Sequence, residues 1–356
     1  MGKLRVMVVD DAAVMRRLLT AALQNDPGIE VCDTAPNGRI ALTKIARSVP
    51  DLVTLDVEMP ELDGLATLRE IRKNHPRLPV IMVSASTSRG AAATLDALAA
   101  GASDYLAKPS EVSNLQQAII SLRQDLLPKV KAHCGVLAQP APTLRRPRPT
   151  SRQPLVSSRP FDLLCISTST GGPNALAQVF QDFSRPCTIP VAIVQHMPPM
   201  FTRMLAERLN GIGGPLSCVE AADGDIMQPG TAYLAPGGRH LTIRRGGQGQ
   251  YIARLQDTPP ENSCRPAADV MLRSAVATGA HILSVVMTGM GYDGMHGCES
   301  VNDAGGRIMI QDEASSVVWG MPGAIASSDL PHTIHGLDQL AGDVERQLAQ
   351  NPLAVA

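Results

Sequence analysis

Short apolar runs alternate with amphipathic stretches along the first third of the chain. LRVMVVD precedes VMRRLLTAAL, IEVCDTA precedes GRIALTKIA, DLVTLD precedes GLATLREIR, PVIMVSA precedes AATLDALAAG, and DYLAKP precedes SNLQQAIISLRQDLL. Runs this short and apolar read as buried strands, and the three-to-four-residue spacing of Leu, Ile and Ala between them is helical. Successive strand–helix units predict an α/β fold, a five-stranded doubly wound parallel sheet of flavodoxin type over residues 1–127. Ligands of such sheets bind beyond the carboxyl ends of the strands.

From residue 128 to 160 the periodicity dissolves into a Pro-, Arg- and Ser-rich stretch, PAPTLRRPRPTSRQPLVSSRP, which predicts an extended, solvated linker. Its arginines, Arg145, Arg146, Arg148, Arg152 and Arg159, are read as keeping that linker soluble. Residues 161–348 resume the alternation: FDLLCIS, a Gly loop and NALAQVFQDF; IPVAIVQ and FTRMLAERL; later ILSVVMTG, a Gly-rich turn and a helix. Between them, TAYLAPGGRHLTIRRGGQGQYIARLQD reads as strands joined by Gly-rich hairpin turns. The second domain is therefore expected to be α/β and doubly wound, with a β-hairpin.

Composition narrows the function. A chain of 356 residues exceeds one hydrophobic core, and a net charge of -1 with 44% hydrophobic residues gives no general attraction to nucleic acid or anionic membrane. The second half has neither a helix-turn-helix pattern nor a basic face, which argues against a transcriptional regulator. No apolar run approaches the roughly 20 residues that span a bilayer. The opening MGKLRVMVVDD reaches acidic residues too early for a signal peptide, so a cytoplasmic protein without membrane insertion is expected. Cys32, Cys134, Cys165, Cys187, Cys218, Cys264 and Cys298 are scattered and never form CxxC, so reduced thiols are expected, none with an obvious activating neighbour.

Three carboxylates fall at predicted strand ends: Asp10 and Asp11 after VMVV, and Asp56 after DLVTL. Acids gathered at one sheet edge need a cation, and an all-oxygen ligand set suits Mg2+. Ser84 ends the fourth strand and Lys108 the fifth, a hydroxyl and an ammonium placed for phosphate oxygens. In this order VVDD, LDVEMPELDG, VSA and DYLAKP resemble the receiver domain of bacterial response regulators. The resemblance implies that Asp56 is phosphorylated, that Asp10, Asp11 and Asp56 with the Glu58 carbonyl hold Mg2+, and that Ser84, Tyr105 and Lys108 read the phosphorylated state.

In the second half, STSTGGP turns from a strand into a helix with Pro173 at a favoured first position, so unpaired N–H groups face this loop. Its hydroxyls are Ser167, Thr168, Ser169 and Thr170, and the turn departs from G-x-S-x-G because Ser167 stands at the first Gly. Alone, the loop suits a nucleophile or a bound phosphate equally. His196 follows IPVAIVQ, and Asp293 sits in TGMGYDGM after ILSVVM. Serine, histidine and aspartate on one sheet edge match a hydroxyl activated by an imidazole that a carboxylate orients. A non-catalytic module that binds nucleotide or protein would explain the glycine loop but not His196 and Asp293.

STGGP, QHMPP, LAPGG-RH and MTGMGYDG resemble the catalytic domain of the chemotaxis methylesterase family, CheB, over about residues 161–348. The resemblance implies hydrolysis of glutamate methyl esters on chemoreceptor cytoplasmic helices, and deamidation of glutamines there, with a chemotaxis histidine kinase as phosphodonor. It also implies Ser169 as nucleophile, His196 as general base and acid, and Asp293 as the group that orients it. Thr170 and Met290 would line the oxyanion region. Mg2+ is expected for receiver phosphorylation and no cofactor for ester hydrolysis. Ser167 and Thr168 add bulk where the family commonly has a Gly and a small residue.

Overall fold

The computed structural model describes residues 2–109, 115–135 and 159–349. The chain divides into two compact units that part between residues 135 and 159.

In the first unit, strands β1 (Leu4–Val9), β2 (Ile29–Ala35), β3 (Leu52–Asp56), β4 (Val80–Ser84) and β5 (Asp104–Ala107) form a parallel sheet in the order β2-β1-β3-β4-β5. Helices α1 (Ala13–Gln24), α2 (Gly38–Arg47), α3 (Gly64–Asn74), α4 (Ser88–Ala99) and α5 (Leu115–His133) alternate with them. Every position of β3 and β4 is buried, as a sheet covered on both faces requires. Side chains of Asn37, Asp63 and Thr87 accept from the amides of Ile40, Ala66 and Gly90 and start α2, α3 and α4.

Helix α5 continues through Pro128 to His133, beyond the residue at which the sequence periodicity fades. Tertiary contacts hold this extension: Val130 is fully buried, Lys129 pairs with Asp104 at 2.8 Å, and Lys131 pairs with Asp26 at 2.5 Å. Of the expected linker, residues 136–158, with Arg145, Arg146, Arg148 and Arg152, lie outside the described residues. Arg159 pairs with Asp162 at 2.9 Å, at the edge of the second unit.

The second unit holds β6 (Leu163–Thr168), α6 (Gly172–Asp182), β7 (Val191–Gln195), α7 (Phe201–Asn210), β8 (Ser217–Glu220), β9 (Thr231–Leu234), β10 (His240–Arg245) and β11 (Tyr251–Gln256). There follow α8 (Ala268–Ala277), β12 (Ile282–Val286), α9 (Met295–Asp303), β13 (Arg307–Gln311), α10 (Met321–Ala326), β14 (Thr333–His335) and α11 (Leu337–Ala349). Seven strands form a parallel sheet in the order β14-β13-β12-β6-β7-β9-β8. Residues of α8, α9, α10, β10 and β11 share one buried cluster with the sheet, whereas α6 packs with α7 and α11.

Only the second of the two expected hairpin turns is one. Strands β10 and β11 pair antiparallel across the Gly-rich turn at residues 246–249, but β9 joins the main sheet in parallel. The glycines after β9 serve a close approach instead: a Cβ at Gly237 would collide with the backbone of Pro198 and Pro199. Among the described residues no helix is long and apolar enough to cross a membrane.

Candidate functional site

Neighbouring strands send their connections to opposite sides between β1 and β3 in the first sheet and between β12 and β6 in the second. Crevices open at the carboxyl ends of strands at such points. Asp10 and Asp56 stand at the first crevice. Ser169, Asp293 and, one strand further, His196 stand at the second.

At the first crevice Asp10 and Asp56 are buried and Asp11 is exposed, with carboxylate oxygens of all three within 4.8 Å of one another. Lys108 Nζ lies 2.8 Å from Asp56 Oδ2 and 3.0 Å from Asp10 Oδ2. The second contact is an ion pair without hydrogen-bond geometry, so Asp10 Oδ2 is a buried oxygen with no donor. Burial pushes the Asp56 carboxyl up to about 6, helped by the neighbouring Asp10 charge and opposed by Lys108. Burial also raises Asp10. Carboxylates that resist ionisation, one with an orphaned oxygen, fit a divalent cation with hard oxygen preference.

Ser84 and Tyr105 are buried beside this crevice, on β4 and β5. The Lys108 amide donates to the Ser84 carbonyl at 2.7 Å, which fixes the end of β5 against β4. Gly64 allows the loop after β3 to fold back on Asp56, because a Cβ there would collide with the Asp56 carbonyl.

At the second crevice the loop after β6 offers four hydroxyls, and burial separates them. Ser167 and Thr168 are fully buried and Thr170 nearly so, whereas Ser169 is half-exposed. Thr168 donates to Gln195 Oε1, and Ser167 Oγ has no partner. Ser167 and Thr168, whose bulk departs from the family pattern, therefore lie inside the fold, beneath the turn. Gly171 at φ 80° caps α6, which begins at Gly172 with Pro173 second rather than first. The turn needs glycine: a Cβ at Gly171 would strike Val317, and one at Gly172 would strike Gln195 and Thr168.

Gln195 ties the two strand ends together. Its Nε2 donates to the carbonyls of Ser169 at 2.9 Å and His196 at 3.1 Å, and the His196 amide donates to the Thr168 carbonyl at 3.2 Å. Ser169 and His196 thus occupy adjacent positions, one residue past the paired Thr168 and Gln195. The Ser169 hydroxyl makes no hydrogen bond among the described residues, to His196 or to any other group.

His196 Nε2 lies 2.7 Å from Asp293 Oδ2. That carboxylate is buried and receives three further donors: the amides of Ala268 (2.6 Å) and Asp269 (3.1 Å) at the start of α8, and Asn262 Nδ2 (3.0 Å). Asp269, itself fully buried, accepts from the amides of Gly294 and Gly297 and pins the loop that carries Asp293. Burial opposes charge on His196, but the interactions with Asp293 and Cys264 together outweigh it and lift the imidazole to about 9. Burial likewise opposes ionisation of Asp293, yet the imidazole and the amide donors hold it below the ordinary carboxylate value.

The other ring nitrogen, Nδ1, faces Cys264 Sγ at 3.5 Å. No cysteine was expected to have an obvious activating neighbour in its own loop; the histidine that Cys264 meets is 68 residues away, so no local spacing announced it. Asn262, Asp269 and Gln195 were missed for the same reason. The amides of Thr170, Gly171 and Met290 donate to no acceptor among the described residues and lie around Ser169, since a Cβ at Gly289 would approach Ser169 Cβ to 2.9 Å. Such amides suit a developing oxyanion.

Residues 164–344 match the CheB methylesterase family, and residues 6–120 match the response regulator receiver domain. The chain is 45% identical over 355 residues to a protein-glutamate methylesterase/protein-glutamine glutaminase of Trichodesmium erythraeum, covering 98% of this chain and 100% of that one. A protein of the same name from Nocardioides sp. is 45% identical over 357 residues, covering 98% and 97%. Among solved structures, the CheB methylesterase catalytic domain of Thermotoga maritima is similar at 32% identity and TM-score 0.48, covering 53% of this chain and 98% of that chain.

Proposed function

The chain belongs to the CheB methylesterase family and carries a response regulator receiver domain, and on that premise we propose that Ser169, His196 and Asp293 hydrolyse γ-glutamyl methyl esters of chemoreceptor cytoplasmic helices. The same site deamidates glutamines there. The observation that supports these roles is the His196–Asp293 bond beside a half-exposed Ser169, one strand away on the same sheet edge.

Because Asp293 occupies Nε2, the proton of Ser169 goes to Nδ1. The hydroxyl–imidazole bond closes when substrate is seated, as catalytic bonds in free enzymes often do. Attack of Ser169 Oγ on the ester carbonyl places negative charge on the carbonyl oxygen, where the amides of Thr170, Gly171 and Met290 receive it. His196 then protonates the departing methanol, or ammonia for a glutamine, and activates the water that frees the glutamate.

The receiver unit accepts a phosphoryl group on Asp56 from a chemotaxis histidine kinase and so raises the rate of the second unit, within the cytoplasm. Asp10, Asp11 and Asp56 would hold Mg2+, with the Glu58 carbonyl; when bound, the ion neutralises the acids against the incoming phosphoryl group. Ser84 and Lys108 bind phosphate oxygens, and Tyr105 responds to the occupied site. Control of one unit by the other is a population shift toward an accessible esterase cleft. The proposed domains are a receiver, expected over 1–127 but carried by α5 to residue 133, the linker up to residue 160, and the catalytic domain over 161–348.

Methanol release from labelled methylated receptor membranes tests the reading. Wild type should release methanol faster with Mg2+ and a small phosphodonor, and Ser169→Ala should release none under either condition. Absence of methanol from the wild type would sink the esterase assignment for this substrate.

A further inference from the structure

Cys264 has no part in the hydrolysis just described, yet its sulfur faces the nitrogen that performs it. The turn that delivers it is unusual: Asn262 and Ser263 both adopt positive φ, 52° and 62°, although neither is glycine. Reciprocal backbone bonds between Glu261 and Cys264, 3.1 and 2.8 Å, close the turn. Two left-handed residues in succession are unfavourable and persist only where surrounding structure enforces them. Here the turn aims Asn262 at Asp293 and Cys264 at His196.

His196, Cys264 and Asp293 each present a ligand atom within 4.8 Å of the others. From this we infer that His196 Nδ1 and Cys264 Sγ form a binding site for a soft divalent cation of the Zn2+ class, and that the ion, once bound, blocks ester hydrolysis by occupying the base. Zn–S of about 2.3 Å and Zn–N of about 2.0 Å at the tetrahedral angle set sulfur and nitrogen about 3.5 Å apart. The observed separation is 3.5 Å, which without metal serves a hydrogen bond between the sulfur and the ring nitrogen. A ligating histidine needs its other ring nitrogen held by a carboxylate, and Asp293 holds Nε2 at 2.7 Å. Asp293 is itself immobilised by two amides and Asn262, so the ring cannot turn away cheaply.

Imidazole and thiolate select this class of ion over Mg2+, whose oxygen-only site lies in the other unit. Binding displaces the thiol proton and any proton on Nδ1 to solvent, and water completes the shell. Among the seven cysteines Cys264 is the one whose thiol reaches a histidine. Burial pushes Cys165, Cys218 and Cys298 up to about 12 and Cys134 to about 11, and it raises Cys32 and Cys187 as well. Those six are poor competitors for a cation that binds thiolate.

The inhibitory half of the proposal rests on the esterase reading, so the experiment separates the two. Full-length protein is stripped with a chelator, placed in excess Mg2+ to occupy the receiver carboxylates, and titrated with Co2+ alone. Wild type should develop a thiolate-to-cobalt charge-transfer band that saturates at one equivalent, and Zn2+ should bleach it. The same Zn2+ range should stop methanol release, and chelator should restore it. Cys264→Ser should show no band, should still release methanol, and should need roughly 10- to 100-fold more Zn2+ for inhibition. A wild type without the band, or a Cys264→Ser enzyme stopped at the wild-type zinc concentration, overturns the site. A metal-free wild type that forms the band but releases no methanol would retain the metal site and overturn the esterase reading instead.

Discussion

Asp293 holds His196 through Nε2, at 2.7 Å, and so leaves Nδ1 as the nitrogen for the proposed base. Replacing Asp293 with Asn keeps the shape but offers an amide donor to Nε2, which moves the ring proton to Nδ1 and disables the base. Steady-state assays of Asp293→Asn should give kcat lower by roughly 10³–10⁴-fold with little change in KM. A loss below tenfold would mean that Asp293 does not set the tautomer.

The pH profile follows from the same pair. Since His196 is lifted to about 9, the neutral base becomes available only as pH rises through that value. The kcat/KM for ester hydrolysis, measured in metal-free buffer, should keep climbing well above the ordinary imidazole value of about 6.5. Asp293→Asn removes the anion that favours the charged ring, so its residual activity should reach its plateau at lower pH.

Ser167 and Ser169 are two residues apart and should respond oppositely to truncation. Ser167 Oγ is buried and unpartnered, so Ser167→Ala removes a desolvated hydroxyl; methanol release should persist, with stability unchanged or raised by up to about 1–3 kcal/mol in chemical denaturation. Ser169→Ala should abolish turnover while thermal unfolding is unaltered, since that hydroxyl has no partner among the described residues to lose.

In the receiver, Asp56 must be ionised to accept a phosphoryl group as proposed, and burial raises its carboxyl to about 6. At limiting Mg2+, incorporation of labelled phosphate from a small phosphodonor should therefore fall as pH drops through about 6, and excess Mg2+ should move that fall to lower pH. Asp56→Asn should incorporate nothing and should lose the phosphodonor stimulation of methanol release while keeping the unstimulated rate.

Gly172 offers a purely steric test. A Cβ there would collide with Gln195 and Thr168, the pair that joins the ends of β6 and β7. Gly172→Ala should cost about 1–3 kcal/mol in denaturant unfolding and lower kcat through displacement of Ser169. Undiminished activity would show that the turn tolerates movement of Gln195.

Sequence reading placed Asp10, Asp56, Ser169 and His196 at or just past the ends of strands whose period is local, and Asp293 in the glycine-dense loop after β12, which is where the structure has them. The parallel insertion of β9 was hidden, since pairing is decided by distant partners, and a Gly-rich turn looks the same whether it makes a hairpin or clears space for Pro198. The groups that hold the site were hidden likewise. Asn262 reaches Asp293 across 31 residues and Cys264 reaches His196 across 68, with nothing in ENSCRPAAD to mark either. The end of α5 was misjudged because Pro128 and two lysines mask a turn that Asp26 and Asp104 stabilise from elsewhere.

Four donors converge on Asp293: a ring nitrogen, two amides at the start of α8 and a side-chain amide. A carboxylate so fully solvated by the protein has no lone pair in need of a proton, and the amino end of α8 favours its negative charge. In the proposed hydrolysis the proton that His196 takes from Ser169 therefore stops on the ring. In that proposal the imidazolium is a local terminus rather than a link in a relay, and the proton it keeps is the one given to the leaving methoxide.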